Sequence, residues 1–146
     1  MRSLSAFFFP LFIGFLITLS SIAAGLKCEI CGMLIEENGR NHIHLEHESK
    51  PGLHVCSPTC ASKARKYDAK FNKSEVRNFN KPEQVLVGEQ AFFLAKSEKI
   101  KADMGKLAMA PYLAAFATKT KAEAAQKKYG DGQVVEGLEN ALKASK

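Results

Sequence analysis

The sequence predicts an α+β fold made of two small β-β-α-β units behind an apolar leader, and three observations support this prediction. Residues 42–48 begin with alternating polar and apolar side chains, which is typical of a strand. Ser57-Pro58 joins a preferred N-cap residue to proline at the first helical position. The same order of elements recurs in the second half. With 146 residues, 46% apolar and 25% charged, the chain has globular composition, which excludes disorder or a repeat array.

Residues 1–24 are predicted to be a signal peptide or an N-terminal membrane anchor. Five of the ten Phe lie in the first fifteen residues, and no charge falls between Arg2 and Lys27. Small residues follow the apolar stretch, as at a signal cleavage site. Both alternatives place the remaining chain outside the cytoplasm. A lipid anchor is not expected, because Lys27 stands directly before Cys28, where a lipoprotein needs a small residue.

The first unit, residues 25–80, is predicted to carry all the cysteines. Pro51-Gly52 marks a turn between two strands, and Ser57 caps the helix that follows. The predicted elements are strands at 42–48 and 53–56, a helix at 58–69 and a strand at 76–79.

The second unit, residues 81–146, is predicted to repeat that order, with the junction at residues 80–83. Thr120 and Glu123 have capping-box spacing at the start of a helix that reaches Tyr129, and Gly130 ends it. The predicted elements are strands at 92–95, 112–117 and 133–136, that helix, and a weak helix from Leu138.

The strongest chemical signal is the spacing of the four cysteines. Cys28 and Cys31 form a C-x-x-C knuckle, and Cys56 and Cys60 form a second pair at a strand-to-helix junction. Each short pair can place two sulfurs on one ion, which is metal-ligand spacing. Cys60 falls in the first helical turn, where the helix dipole is expected to favour its thiolate.

Two alternatives to a transfer site stay open for these cysteines. Export to an oxidising compartment makes a pair of disulfides a natural outcome. A closed structural zinc site has the same ligand spacing and would contribute folding energy without further chemistry.

Three methionines suggest copper as the metal. Met33 and Met104 stand beside Gly, Met109 stands two residues before Pro111, and Met33 follows Cys31 by two residues. Thiolate and thioether sulfurs are soft ligands that select Cu(I). The ordinary alternative is that each methionine fills a core gap.

Histidines form a second candidate group. His54 stands two residues before Cys56, and strand alternation points both side chains the same way, which makes His54 a possible accessory ligand. His42, His44 and Glu46 share one face of the first strand and form a candidate accessory metal surface. An exposed, solvated strand face is the alternative for each group.

Charge excludes little but points away from nucleic acid. Without the leader the chain has 20 Lys and Arg against 15 Asp and Glu, dispersed along the sequence. A basic surface of this kind is compatible with contact to anionic lipid, but no nucleic-acid recognition motif is present.

The motifs Cys28-x-x-Cys31-Gly32-Met33, Met104-Gly105, Met109-Ala110-Pro111-Tyr112 and Lys127-Lys128-Tyr129-Gly130 resemble those of the NosL family, from Cys28 to about Leu142. These are copper-binding accessory proteins of nitrous-oxide reductase assembly. The resemblance implies a fold similar to the organomercurial lyase core.

It also implies a periplasmic Cu(I) protein that delivers copper to apo nitrous-oxide reductase together with a membrane transporter complex. By resemblance, Cys28, Cys31 and Met33 match the family's knuckle, and Met104 and Met109 match its second segment. Two departures are the missing lipobox and the additional pair Cys56 and Cys60.

The sequence therefore predicts a copper-delivery accessory protein and not an enzyme. A zinc- or disulfide-stabilised binding module is the first alternative. A thiol-disulfide oxidoreductase using Cys28 and Cys31 is the second, but the leader ends too close upstream to supply the strand that usually precedes such a motif.

Overall fold

The structure, a computed structural model, describes residues 25–146, and the predicted leader lies outside the described residues. Within that range the chain forms seven strands and four helices. In order they are β1 (Ile43–Glu46), β2 (Leu53–Val55), α1 (Pro58–Tyr67), β3 (Lys73–Asn78), β4 (Lys81–Val87), β5 (Phe92–Ala95), α2 (Lys101–Met104), β6 (Leu113–Phe116), α3 (Lys119–Tyr129), β7 (Gln133–Glu136) and α4 (Leu138–Ala144).

All seven strands belong to one mixed sheet with the order β2-β1-β3-β6-β5-β7, and β4 pairs with β3. In the first half β1 lies between β2 and β3, and in the second half β5 lies between β6 and β7. These pairings are antiparallel. The halves are joined by a parallel pairing of β3 with β6 at Asn78 and Ala115. The predicted α+β fold of two β-β-α-β units is confirmed.

Two core clusters lie on opposite faces of the sheet. Successive residues of a strand point to opposite faces. On β5, Phe93 therefore joins the first cluster and Leu94 the second. Helices α1 and α4 cover the first cluster, with Ala61 and Ala141 fully buried, whereas α2 and α3 cover the second. In the first half the corresponding second face carries histidines in place of apolar residues.

Several predicted bounds need correction. The capping box at Thr120 is wrong, because α3 starts at Lys119 and the hydroxyl of Thr118 accepts the Lys121 N–H. The predicted junction at 80–83 is the start of β4. The side chains of β4 are mostly exposed, so the strand lacks the alternation of apolar and polar residues that predicts a strand. Pro82 lies within this strand, and proline is tolerated there because β4 is an edge strand. The four-residue α2 was also missed.

The remaining predicted elements are present with end points shifted by up to three residues. Gly130 ends α3 as predicted, in the left-handed conformation that glycine adopts without strain. Among residues 25–146, no helix combines the length and apolar character needed to cross a bilayer.

Candidate metal centre

The first cysteine pair is held by a tight backbone knuckle. The Cys28 N–H donates to the carbonyl oxygen of Met33, and the Gly32 N–H donates to the carbonyl oxygen of Cys28, both at 2.8 Å. Gly32 has φ +76°, a left-handed value that L side chains rarely adopt. The glycine after Cys31 is therefore needed to close the turn that places both sulfurs on one side.

The second pair lies where β2 passes into α1. Ser57 is the N-cap, and its Oγ accepts the Cys60 N–H at 3.3 Å. Pro58 occupies the first helical position, where its missing N–H costs nothing. The cap fixes Cys60 in the first turn of α1, so its sulfur lies beside that of Cys56.

The knuckle is attached to β2 through one residue. The Glu29 N–H donates to the carbonyl oxygen of His54 at 3.1 Å, and the Glu29 carboxylate accepts the His54 N–H at 3.0 Å. On the other side, the buried Asn41 amide donates to the carbonyl oxygen of Cys56 at 2.6 Å. These bonds bring together two cysteine pairs that have 24 residues between them in the sequence.

The four cysteine sulfurs form one cluster, with all Sγ atoms within 4.8 Å of one another. The Sγ atoms of Cys31 and Cys56 are 3.5 Å apart, and those of Cys56 and Cys60 are 3.8 Å apart. Four sulfurs about 2.3 Å from a tetrahedral ion are separated by about 3.8 Å. The residues present therefore fit a thiolate-bound metal ion.

All four cysteines are free thiols in the structure, which does not contain the pair of disulfides that the sequence left open. Three are buried at the edge of the first core cluster, and Cys31 alone of the four is exposed. The cluster is therefore anchored in the core and open at one ligand.

The electrostatics of the sulfurs differ from the sequence-based expectation. Burial raises the pKa of Cys60 in spite of its place in the helical turn, and burial likewise raises the pKa of Cys56. For Cys28 burial also opposes ionisation, but the backbone N–H groups of Ile30, Cys56 and Cys31 outweigh it. They lower the pKa of Cys28 to about 7. The thiolate formed first is thus Cys28 and not Cys60.

The histidines occupy a separate place. His54 contacts His42, with Nδ1 to Nε2 at 2.9 Å, and stacks on His44 with ring centroids 4.5 Å apart. In the described part of the chain it is not among the groups within 4.8 Å of the sulfurs. Burial lowers the pKa of both His42 and His54, which keeps these rings neutral at neutral pH. The accessory-ligand role of His54 stays a prediction.

The predicted methionine ligands fall into two groups. Met33, beside the knuckle, and Met109 are exposed at 40% each. Met104 is 1% exposed and packs in the second core cluster, on the sheet face opposite the cysteines. Its place matches the core-filling alternative, and a ligand role would require the side chain to leave that cluster.

Sequence reasoning missed the residues that position the sulfurs. Asn41 and Glu29 act through hydrogen bonds to backbone groups of residues that are distant in sequence. The spacing of residues along the sequence does not predict such bonds, because they depend on how the knuckle lies against β2.

Fold and site together define an α+β protein with a candidate four-cysteine metal centre. A solved structure, the copper chaperone NosL from Shewanella denitrificans, is similar to this chain with a TM-score of 0.59 and 18% identity. The similarity covers 76% of this chain and 86% of that one, and it establishes a NosL-like fold. No family model and no curated protein matches the sequence.

Proposed function

We propose that this protein is a Cu(I) carrier that binds its cargo at Cys28, Cys31, Cys56 and Cys60 and releases it to a partner. The observation that supports it best is the convergence of four free thiols with one of them exposed. Thiolates are soft ligands suited to Cu(I). Similarity to a solved copper chaperone supports the same proposal.

The exposed cysteine is the natural point of release. Cys31 lies at the tip of the knuckle, while the other three sulfurs are fixed in the core. A partner thiolate or thioether can reach the ion from the Cys31 side and bind it before the carrier's own sulfurs let go. A purely structural site gains nothing from an exposed ligand.

Exposed thioethers favour copper over zinc. Met33 follows Cys31 by two residues, and Cu(I) accepts thioether sulfur more readily than Zn²⁺ does. Met109 is the second exposed candidate. With thiolates from the core and a thioether at the rim, the ion can pass between ligand sets of similar softness.

A zinc module is the second candidate function, and the sulfur spacing favours it. Sγ distances of 3.5 and 3.8 Å are near those of tetrahedral zinc thiolates. In that case the ion would stabilise the first unit and stay in place.

The client and the compartment are also part of this proposal. The motifs shared with the NosL family support a periplasmic protein that delivers copper to apo nitrous-oxide reductase with a membrane transporter complex. A predicted leader without a lipobox supports export as a cleaved or anchored protein. The dispersed basic charge supports contact with an anionic membrane surface.

The test is a metal competition on reduced protein under argon. Chromophoric chelators for Cu(I) and for Zn²⁺ report uptake by the unchanged chain and by Cys31→Ser, Met33→Leu and Met104→Leu. Tyr67→Ser is the surface control, because Tyr67 is 84% exposed at the end of α1. We expect Cu(I) to displace Zn²⁺, Cys31→Ser to weaken Cu(I) binding strongly, and Met33→Leu to weaken it more than Met104→Leu.

Two results would contradict the carrier. Zinc that survives an excess of Cu(I) would favour the structural module. Cu(I) affinity that is the same in Cys31→Ser and in Tyr67→Ser would remove the assigned site. Transfer of bound Cu(I) to purified apo nitrous-oxide reductase, measured against free Cu(I), tests the client separately.

A further inference from the structure

The polar face of the β1–β2 hairpin carries three of the four histidines. The sheet register pairs His44 with His54, and His42 lies one step beyond β1 on the same side. The three rings line a small cavity together with Glu75, Arg77 and Val85. The copper-carrier proposal makes no use of this cluster.

Hydrogen bonding fixes where the nitrogen lone pairs point. The Nδ1 of His42 lies 2.8 Å from the carbonyl oxygen of Glu37, which can only accept, so this nitrogen carries the proton. The Nε2 lone pair of His42 is therefore directed at the Nδ1 of His54, 2.9 Å away. A ring whose outer N–H is held by a carbonyl is the usual arrangement of a metal-binding histidine.

The 2.9 Å spacing is that of an N–H···N hydrogen bond, and it is also close to the separation of two nitrogens bound to one ion. Two nitrogens bonded at about 2.0–2.1 Å and at right angles to one another are about 2.9 Å apart, whereas tetrahedral ligands are about 3.4 Å apart. Right-angled imidazole coordination is typical of Cu(II), which also has the highest affinity in the divalent series. A pair of imidazole nitrogens therefore suits an ion different from the one that suits the thiols.

We propose that His42 and His54 form a second metal site, for Cu(II), which is separate from the cysteine centre. On binding, the proton on His54 Nδ1 shifts to its Nε2, and the two rings tilt so that both lone pairs turn from the line between the nitrogens toward an ion beside it. Nε2 of His54 is free to take the proton, because it has no hydrogen-bond partner among residues 25–146.

His44 supplies a third ligand to this site. Its ring stacks on that of His54 and is partly exposed, so the side chain can turn toward the ion. Glu75 lies 3.4 Å from His44 Nδ1 and adds a negative charge, which the positive charge of Arg77 in the same cavity offsets. The site therefore depends on imidazole nitrogen and not on carboxylate charge.

The experiment uses the full chain with its thiols occupied. Reduced protein is first loaded with one equivalent of Zn²⁺, then titrated with Cu(II) and studied by electron paramagnetic resonance. Thiols are counted before and after, so that oxidation of cysteines is detected. The variants are His42→Gln and His54→Gln, and the control is His47→Gln, whose ring contacts Asp68 on the other side of the strand.

We expect a tetragonal Cu(II) signal split by at least two nitrogens in the unchanged chain and in His47→Gln. In His42→Gln and His54→Gln the affinity should fall at least about 10-fold. Circular dichroism verifies folding, and His54→Gln carries the test if the buried His42 cannot be replaced. Three results would overturn the site. They are equal Cu(II) binding in all four proteins, no Cu(II) uptake by the Zn²⁺-loaded chain, and a Cu(II) signal without nitrogen splitting. This proposal is tested at the histidines and the copper-carrier proposal at the cysteines, so the two can fail independently.

Discussion

The two β-β-α-β units have the same frame but different residues at equivalent positions. β1 and β5 each lie at the centre of their unit, yet β1 is apolar on one face and carries histidines on the other, whereas β5 buries both faces. Helices α1 and α3 each begin with a hydroxyl cap. The third residue of α1 is Cys60, and that of α3 is Lys121.

This difference shows how one frame serves two purposes. In the second unit the sheet is covered on both sides, which yields apolar burial. In the first unit one face is left polar, and the turns before β1 and before α1 carry cysteines. We infer that the second unit supplies stability and the first supplies the metal chemistry.

The largest expected effect on stability comes from the second unit. Phe116 is 1% exposed and packs against Phe79 with ring centroids 5.4 Å apart. Phe116→Ala should lower the free energy of unfolding by about 3–5 kcal/mol, because it removes buried apolar area and leaves a cavity. Denaturant unfolding measures this loss. The metal affinity of the folded variant should not change, and a parallel loss of affinity would show that the units are not separable in function.

The largest expected effect on metal binding comes from the third residue of α1. Cys60→Ser removes a proposed ligand. Loss of an outer hydrogen-bond partner lowers metal affinity about 10–100-fold, and loss of the ligand itself should lower it further. Lys121→Ser changes the equivalent residue of α3 and is the matched control. Chelator competition gives both affinities. A normal affinity in Cys60→Ser would mean that this sulfur is not a ligand.

The two helix caps should have equal effects on stability and unequal effects on the metal. Ser57→Ala and Thr118→Ala each remove a side-chain acceptor of a helical N–H, which costs about 0.5–2 kcal/mol. Ser57 also fixes the turn that holds Cys60, so its loss should weaken metal binding about 10-fold. Thermal unfolding of apo protein and chelator competition test the two effects. If Thr118→Ala weakens metal binding as much, the cap at Ser57 has no special role.

Local patterns in the sequence predicted much of this fold. Alternation identified β1, the apolar run at 92–95 identified β5, and Ser57-Pro58 and Gly130 marked helix ends correctly. Such features depend on neighbours within a few residues. β4 was not predicted, because an exposed edge strand does not require apolar and polar residues to alternate. Thr120 misled because Thr118 offers the same hydroxyl two residues earlier, and only the backbone conformation selects between them.

The sites depend on contacts that the sequence does not reveal. The two cysteine pairs could be recognised from spacing, but their convergence requires the knuckle to bond to β2 through Glu29. The contact of His42 with His54 depends on the register between β1 and β2, and a shift by one residue would move His54 to the other face. The burial that raises the pKa of Cys60 is likewise a tertiary effect.

The smallest expected effect concerns the ionisation of the apo site. The pKa of Cys28 falls from 9.0 to about 7, because backbone N–H groups that stabilise its thiolate outweigh the effect of burial. A depressed pKa stabilises the folded state above the unfolded value, and this contribution is lost as the pH falls from about 9 through about 7.

Thiolate absorbance near 240 nm should therefore show a step near pH 7 in reduced, metal-free protein. Cys28→Ser should remove that step while Cys60→Ser retains it, since burial raises the pKa of Cys60. A step that persists in Cys28→Ser would assign the first thiolate to another cysteine and move the start of metal uptake away from the knuckle.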